Sequence, residues 1–287
     1  MATASTMAGK ICLVTGGTAG IGFVAARELA RRGATVTIVG RDPARGAAAA
    51  QFIQAAAGSG AVDFVAADLA ELSQLRGFAA SFSQERSRLD VLVNNAGGLF
   101  GRRTTTTDGI ERTFALNHLG YFATTLLLLP LLRAAAPARI VLTASEAHRG
   151  ACIDFDDLQG DHRYNRWRAY RQSKLANLLF TFELARRLAG QGVTANALHP
   201  GFVATEIGTR HNFVPDILWR IGTLAAISPE QGAQTILQLA CSPEVADVSG
   251  NYFVDNKPAR SSPASRDEKT GDRLWDISLN LTGLPDI

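Results

Sequence analysis

The chain has 287 residues, of which 46% are hydrophobic and 19% charged, so it can bury a sizeable core, and one large α/β domain is favoured over two small ones. Its formal net charge is only +3 and its basic residues are scattered, so nucleic acid is not indicated as a partner. The three cysteines lie far apart without the spacing of metal ligands, which favours reduced thiols in a cytoplasmic protein.

Two stretches bear on a membrane location. Residues 1–9 are polar and small, without the apolar region of a signal peptide or membrane anchor, and we expect them to be flexible. The most apolar run, residues 121–132, contains Pro130 and is shorter than the ~20 residues that span a bilayer. The sequence therefore predicts a buried helix there and no membrane span.

The first predicted elements are a strand at residues 11–14, a glycine-rich turn and a helix that ends near Gly33. Glycines let the backbone approach a pyrophosphate, and the helix N-terminus supplies amide donors and a favourable dipole. The spacing differs from the common G-x-G-x-x-G, but the flanking strand and helix are the required context. The turn is therefore predicted to bind a dinucleotide, and its candidate residues are Gly16, Thr18, Ala19, Gly20, Ile21 and Gly22.

The strand at residues 35–39 ends where a dinucleotide's adenosine ribose is read. A carboxylate there suits a free 2′-hydroxyl, whereas an arginine accommodates a 2′-phosphate. Arg41 comes first and Arg45 is a possible helper, which favours NADP(H) over NAD(H). Asp42 argues the other way, and a surface arginine beside a turn is the alternative explanation.

Strands at residues 62–66 and 89–93 are each followed by polar or small residues. In an open α/β sheet, ligands lie outside the carboxyl ends of the strands. Asp68 is placed to accept from an adenine amino group, and Asn94 with Gly97 to bracket the cofactor, although Asp and Asn also commonly form turns. The candidate cofactor residues here are Asp68, Leu69, Asn94, Ala96 and Gly97.

Asp108, with Glu111 three residues later, predicts the N-cap of a long helix that contains Asn117. A further strand at residues 138–143 is followed by Ser145, whose hydroxyl can donate to a substrate oxygen. The polar stretch that follows, residues 150–167, carries several aspartates, but their spacing fits no calcium loop, so we expect no metal site.

Tyr170 and Lys174 are four residues apart on a predicted helix and therefore share one face. A positive charge beside a phenol favours the phenolate, so this pairing predicts a proton donor and acceptor for a carbonyl or an alcohol. Taken alone, the pair is also common on ordinary amphipathic helices.

The strand at residues 193–198 is followed, at its carboxyl end, by four more candidate residues, which are named below. The next stretch, residues 202–227, is rich in apolar side chains. This stretch is predicted to be a lid over the substrate, with core packing as the alternative. A helix capped by Ser228, a strand at residues 251–254 and a helix at residues 272–279 complete the alternation, which predicts a single doubly wound sheet. The last candidate cofactor residues are Pro200, Gly201, Val203 and Thr205.

Taken together and in order, these residues resemble the short-chain dehydrogenase/reductase family over nearly the whole chain. The resemblance implies one NAD(P)-binding Rossmann domain over residues 1–287, with a seven-stranded parallel sheet, a nicotinamide cofactor, and a homodimer or homotetramer. It also implies roles: Tyr170 as general acid/base, Ser145 orienting the substrate oxygen, Lys174 binding the ribose and lowering the Tyr170 pKa, and Asn117 holding a water in a proton relay. The motifs that carry the resemblance are residues 15–22, Asp68, residues 94–97, Asn117, Ser145, Tyr170 with Lys174, and Pro200 with Gly201.

Within the family, residues 117–122, 156–158, 173–177, 198–201 and 274–275 resemble the retinol-dehydrogenase-like branch, which often prefers NADP(H). Two features depart from that branch: no N-terminal anchor is apparent, and residues 143–145 read Thr-Ala-Ser in place of the usual paired serines. The expected function is NADP(H)-dependent interconversion of a carbonyl and an alcohol on a lipophilic or polycyclic small molecule. The alternatives are a tailoring reductase or dehydratase of a secondary metabolite and a non-catalytic NADP(H)-sensing protein.

Overall fold

The computed structural model describes residues 6–57, 60–201 and 227–287, and its central element is an eight-stranded sheet in the order β3-β2-β1-β4-β5-β6-β7-β8. The strands are β1 (Ile11–Thr15), β2 (Thr35–Gly40), β3 (Val62–Ala66), β4 (Val91–Asn94), β5 (Ala138–Thr143), β6 (Val193–His199), β7 (Tyr252–Val254) and β8 (Lys257–Pro258). The helices are α1 (Gly20–Arg31), α2 (Pro43–Ala57), α3 (Leu72–Glu85), α4 (Arg112–Phe114), α5 (Gly120–Ala134), α6 (Arg166–Arg187), α7 (Pro229–Gly232), α8 (Gln234–Cys241) and α9 (Glu268–Thr282).

The strand β1 shows why the sheet needs helices on both faces. Its side chains alternate, so that Leu13 packs into one core with α3, α5 and α6, whereas Cys12 and Val14 pack into a second core with α1, α2 and α8. All three are fully buried, as expected of a parallel strand that reads as a continuous apolar run. Because β2 and β4 flank β1 in parallel, the strand order reverses at β1, which is where ligands bind in such sheets.

The prediction of a doubly wound parallel sheet is confirmed, with one correction. The sheet has an eighth strand, β8, which pairs antiparallel with β7 and adds only two residues. Asp255 and Asn256 join the two strands with φ of 48° and 63°, the left-handed pair that a two-residue hairpin requires. An exposed two-residue strand has no hydrophobic alternation, so the sequence pattern did not reveal it.

The helix before the site begins later than predicted. Asp108 is not its N-cap, because the Asp108 carboxylate accepts from the Leu72 backbone N–H at 3.0 Å. Glu111 is the N-cap and accepts from the N–H groups of Thr113 and Phe114, both at 2.8 Å. Asp108 and Glu111 both carry a carboxylate that can accept from the N–H groups two or three residues later. The sequence pattern alone therefore did not show which of the two is the N-cap.

The helical stretch from Arg112 to Ala134 is longer than the apolar run suggested. It comprises α4, a π-helical turn at Ala115–Leu119 and α5. By length and composition this stretch of 23 residues meets the criterion for crossing a membrane, but 78% of its most apolar window is buried inside the protein. It is therefore the core helix that the sequence predicted.

The C-terminal helix α9 packs against α6 and closes the core on that side. The buried indole of Trp275 lies 5.0 Å from the ring of Phe122 on α5 and 5.9 Å from that of Phe180 on α6, as centroid distances. The leucines of α5 and α6 are mostly buried within this chain.

Candidate active site

A groove of about 240 Å³ opens at the carboxyl ends of the strands around β1. It brings together residues that are up to 100 positions apart in the chain, from the glycine turn to the start of the π-helical turn. Seven predicted cofactor residues line it: Gly16, Thr18, Arg41, Asp68, Leu69, Ala96 and Gly97. Three apolar side chains that the sequence did not single out also line it: Leu99, Phe100 and Leu116.

The glycine turn has no room for side chains. Gly16 has φ of +67°, and a Cβ on it would lie 2.8 Å from the Ala96 Cα. A Cβ on Gly22 would lie 2.5 Å from the Gly16 carbonyl oxygen. Ala19 is the N-cap of α1 and provides no side-chain acceptor, so the first-turn N–H groups, including those of Gly20 and Ile21, have no side-chain cap. This cradle fits a pyrophosphate.

The asparagine that supports this turn is Asn95, which the sequence analysis did not select. Its Nδ2 donates to the carbonyl oxygens of Thr15 at 3.1 Å and Gly16 at 3.3 Å. Asn94, the predicted cofactor residue, is fully buried, and its Nδ2 donates to the Thr125 hydroxyl of α5 at 3.0 Å. Successive strand residues point to opposite sides, so the Asn94 side chain lies in the core and does not line the groove.

Two charged side chains, Arg41 and Asp68, line the adenosine end of the groove, and two more lie beside Asp68. The Arg41 side chain is 58% exposed, and its Nη1 lies 4.0 Å from Asp68 Oδ2. The same Asp68 oxygen accepts from Arg112, an arginine that the sequence analysis did not select, and Arg112 also reaches Glu71 at 3.5 Å. The Asp68 carboxylate is also oriented by the Ala70 N–H, which donates to Asp68 Oδ1 at 3.1 Å.

Asp42, the acidic residue next to Arg41, is engaged in the turn that follows β2. Asp42 accepts from the Arg45 backbone N–H at 3.1 Å, so its carboxylate stabilises the start of α2. This contact weakens Asp42 as a ribose ligand and leaves Arg41 as the residue that lines the groove.

Lys174 is buried on α6, one turn beyond Tyr170. Its Nζ donates to the Thr143 carbonyl oxygen at 3.0 Å and lies 5.8 Å from the ring centroids of both Tyr170 and Tyr121. Burial lowers the pKa of Lys174 from 10.5 to about 8. The ammonium is therefore kept at the edge of titration close to neutral pH.

The Tyr170 phenol differs from what the sequence predicted. Burial raises the pKa of Tyr170 above its usual value of 10, and a side-chain hydrogen bond with Ser145 acts in the opposite direction. The cost of burying a phenolate outweighs the Ser145 hydrogen bond, so the Tyr170 pKa is raised, whereas the sequence led us to expect a lowering by Lys174. The phenol accordingly stays protonated at neutral pH, which suits a proton donor to a carbonyl oxygen.

Asn117 lies in the π-helical turn and is fully buried. Its Oδ1 accepts from the Gly98 N–H at 2.8 Å, while its Nδ2 donates to the Gly98 carbonyl oxygen at 2.9 Å and to the Ser173 hydroxyl at 3.0 Å. A Cβ on Gly97 would lie 3.4 Å from Asn117 Oδ1 and 3.7 Å from Lys174 Nζ, so the predicted residues converge beside the groove. Single π turns are frequent at functional sites, and this one ties the groove to α6.

Ser145 begins a short 3-10 turn, Glu146–His148, and its hydroxyl accepts from the Ala147 N–H at 3.1 Å. His148 is buried beneath it, with Nε2 accepting from the Ser262 N–H at 3.1 Å. Since a backbone N–H only donates, the His148 proton resides on Nδ1, which donates to the Ser145 carbonyl oxygen at 2.6 Å. Burial lowers the pKa of His148, which keeps it neutral in this role. No sequence pattern marked this histidine.

The remaining predicted residues lie after β6. Pro200 and Gly201 are described, and Gly201 has φ of +85° with a Cβ position only 2.5 Å from the Ile227 Cδ1. Val203 and Thr205 lie outside the described residues, as does the predicted lid at residues 202–227 except for Ile227. Within residues 6–57, 60–201 and 227–287, no group of three His, Cys, Asp or Glu side chains is arranged to hold a metal ion.

Comparison with known proteins points to one family. The family model for short chain dehydrogenase matches residues 10–213. The chain is 46% identical over 276 residues to retinol dehydrogenase 12 of Mus musculus, covering 96% of this chain and 87% of that protein. It is also 46% identical over 287 residues to retinol dehydrogenase 13 of Homo sapiens, covering 98% and 86%.

Solved structures agree with this match. A crystal structure of an uncharacterized protein from Mycobacterium Paratuberculosis has a TM-score of 0.80 and 36% identity, covering 98% of this chain and 96% of that one. The Pseudomonas aeruginosa RhlG/NADP active-site complex has a TM-score of 0.70 and 30% identity, covering 86% and 95%. A short chain dehydrogenase from Burkholderia cenocepacia J2315 in complex with NADP has a TM-score of 0.69 and 27% identity, covering 88% and 99%.

Proposed function

Because the chain belongs to the short-chain dehydrogenase family, we propose that it interconverts a carbonyl and an alcohol on a lipophilic or polycyclic small molecule, with NADP(H) as the cofactor. The observation that carries this proposal is the convergence of Tyr170, Ser145 and Lys174, with Lys174 Nζ next to Gly97 of the groove wall. A dinucleotide-binding protein that only senses its cofactor needs the glycine turn but not this constellation.

The residues present fit a nicotinamide dinucleotide. Gly16 and Gly22 form a cradle that any Cβ would fill, and the N-terminus of α1 offers N–H groups to a pyrophosphate. The preference for NADP(H) is supported by the exposed Arg41 at the end of β2, a residue type that accommodates a 2′-phosphate. Two structurally similar proteins are NADP complexes, which agrees with this preference.

The hydride chemistry belongs to the cofactor when it is bound. Tyr170 donates a proton to the carbonyl oxygen in reduction and recovers it in the reverse direction. The Ser145 hydroxyl orients that oxygen, and His148 fixes the serine through its main chain. Lys174 contributes its positive charge beside the phenol, and Asn117 holds the Gly98 wall of the groove to α6.

The lipophilic substrate class is supported by two independent points. Leu99, Phe100 and Leu116 give the groove an apolar stretch of lining. The similar curated proteins are named as retinol dehydrogenases. A tailoring reductase or dehydratase acting on a polycyclic metabolite would use the same apolar lining, and the substrate panel described below separates the two.

We also propose a cytoplasmic location and assembly as a homodimer or homotetramer. All three cysteines are free thiols, which agrees with a reducing compartment. The leucines of α5 and α6 are mostly part of the subunit's own core, so association would use other surfaces.

The test is a spectrophotometric panel with NADPH and NADH against all-trans-retinal, straight-chain aldehydes, polycyclic ketones and quinones. We expect turnover with NADPH and an apolar carbonyl, and Tyr170→Phe should reduce kcat at least about 100-fold while NADPH still binds. The matched control is Tyr164→Phe, which removes a phenol that lies outside the groove lining and bonds Glu111 and the Phe100 carbonyl oxygen, and it should retain turnover. Tight NADPH binding without turnover of any carbonyl would favour the sensor, and near-normal kcat in Tyr170→Phe would refute the proposed acid.

A further inference from the structure

We propose that Arg112 is a specificity-determining residue that sets the preference for the cofactor's 2′-phosphate without touching the cofactor. This inference rests on the proposed use of NADP(H). Arg112 lies at the start of α4, outside the groove lining, and its guanidinium contacts both Asp68 and Glu71. Its guanidinium also lies 5.5 Å from the centroid of the Phe100 ring, which lines the groove. The charge of Arg112 acts on the cofactor through the two carboxylates, and Arg112→Met keeps an apolar side chain beside Phe100.

Asp68 is the carboxylate that competes with a 2′-phosphate for Arg41. The Arg41 Nη1 is 4.0 Å from Asp68 Oδ2, and because Asp68 is 13% exposed whereas Arg41 is 58% exposed, solvent screens the pair mainly from the Arg41 side. Arg112 holds that same Oδ2 at hydrogen-bonding distance. With Asp68 already neutralised, Arg41 is available to a ligand.

The charge balance around this end of the groove depends on Arg112. With Arg112 present, two arginines face the two carboxylates of Asp68 and Glu71, and the four charges cancel. Without it, the carboxylates of Asp68 and Glu71, which are 13% and 12% exposed, lose the guanidinium that they share, and Arg41 is close to Asp68 alone. A phosphate monoester carries about −1.5 to −2 charges at pH 7, so the excess negative charge would disfavour NADP(H) and leave NAD(H) much less affected.

A structural role for Arg112 would have a different signature. Glu71 is also held by the Thr107 backbone N–H at 2.9 Å and hydroxyl at 2.6 Å, and Asp68 by the Ala70 N–H. These contacts anchor both carboxylates independently of Arg112. Removing Arg112 is therefore expected to change the charge of the site more than its shape.

The experiment is calorimetric binding of 2′,5′-ADP and 5′-AMP to the full chain, together with kcat/KM for NADPH and NADH. Arg112→Met should weaken 2′,5′-ADP about tenfold, or ~1.4 kcal/mol, with 5′-AMP changed less than threefold. Arg112→Lys should retain most of the preference, because it retains the charge. Arg103→Met is the matched control, because Arg103 is also paired with an aspartate, Asp161, but outside the groove.

A double variant separates charge from structure. Asp68→Asn combined with Arg112→Met removes one charge of each sign and should restore the preference for 2′,5′-ADP to within threefold of the parent. If Arg112→Met is insoluble, Arg112→Gln, which keeps hydrogen-bonding capacity, provides the same comparison.

The outcomes distinguish this inference from the function on which it rests. A parent protein that binds both probes equally would refute the proposed NADP(H) preference itself. A parent with a clear preference that Arg112→Met leaves unchanged would overturn the role of Arg112. Equal weakening of both probes, unrepaired in the double variant, would assign Arg112 a structural role and overturn the inference as well.

Discussion

Replacing Lys174 with methionine is expected to abolish activity and, at the same time, to stabilise the fold. Lys174 is only 4% exposed, and burial lowers its pKa from 10.5 to about 8. At 1.36 kcal/mol per pH unit, keeping the ammonium charged at neutral pH costs the folded state about 3 kcal/mol. Methionine retains much of the length of the side chain without that cost.

The gain is reduced by the hydrogen bond that is lost. Lys174 Nζ donates to the Thr143 carbonyl oxygen, and a buried hydrogen bond contributes about 1 kcal/mol. The Tyr121 hydroxyl donates to the same oxygen at 3.5 Å, so that oxygen keeps a donor. The net expectation is an increase of about 2 kcal/mol in the free energy of unfolding, measured by urea denaturation at pH 7.

The sign of the pH dependence provides a second measurement on the parent protein. Between pH 8 and 10.5 the unfolded chain binds the Lys174 proton and the folded chain has lost it, so the free energy of unfolding gains a rising contribution with pH. Lys174→Met removes this contribution, whereas Lys257→Met, at an exposed lysine, should retain it. A Lys174→Met protein less stable than the parent, or one with the same pH slope, would refute the argument from burial.

Two further predictions concern the support of the site. His148→Phe removes the donor to the Ser145 carbonyl and the acceptor for the Ser262 N–H, so it should lower the free energy of unfolding by about 2 to 4 kcal/mol and reduce kcat. His148→Gln can replace both hydrogen bonds and should recover more than half of each loss. Equal effects of the two substitutions would contradict the hydrogen-bond argument. Gly22→Ala should destabilise by about 1 to 3 kcal/mol and abolish the thermal shift caused by NADPH, because its Cβ would lie 2.5 Å from the Gly16 oxygen. Gly77→Ala, where a Cβ meets nothing within 4 Å, should instead stabilise α3, and thermal melts that rank the two alike would show that the turn tolerates side chains.

The sequence predicted the helices and strands that have a clear hydrophobic pattern, and the site residues that directly follow strands. The strands β1 to β7 and the residues Gly16, Arg41 and Asp68 followed from rules that depend only on position along a strand or turn. Asn94 and Asn95 show the limit of those rules. Adjacent asparagines at a strand end face opposite sides of the sheet. Asn94 faces α5 and Asn95 faces the glycine turn, and the sequence does not say which of the two takes which side.

Contacts between distant segments left no sequence pattern. His148 acquires its role from Ser262, 114 residues away, and Arg112 acquires its role from Asp68, 44 residues away. The pKa of Tyr170 was predicted in the wrong direction for a related reason. A helical spacing places the ammonium near the phenol, but it says nothing about how much water the surrounding elements exclude.

The main-chain contacts explain why chemistry and specificity can vary separately in this site. Lys174, Asn117 and His148 are each fixed by backbone atoms of Thr143, Gly98 and Ser145. Backbone positions in a buried sheet and a π turn are insensitive to most side-chain substitutions nearby. The proposed cofactor preference, in contrast, depends on a balance among charged side chains, in which one arginine outside the groove offsets two largely buried carboxylates. Single substitutions should therefore change which cofactor is used far more readily than the proton transfer at Tyr170.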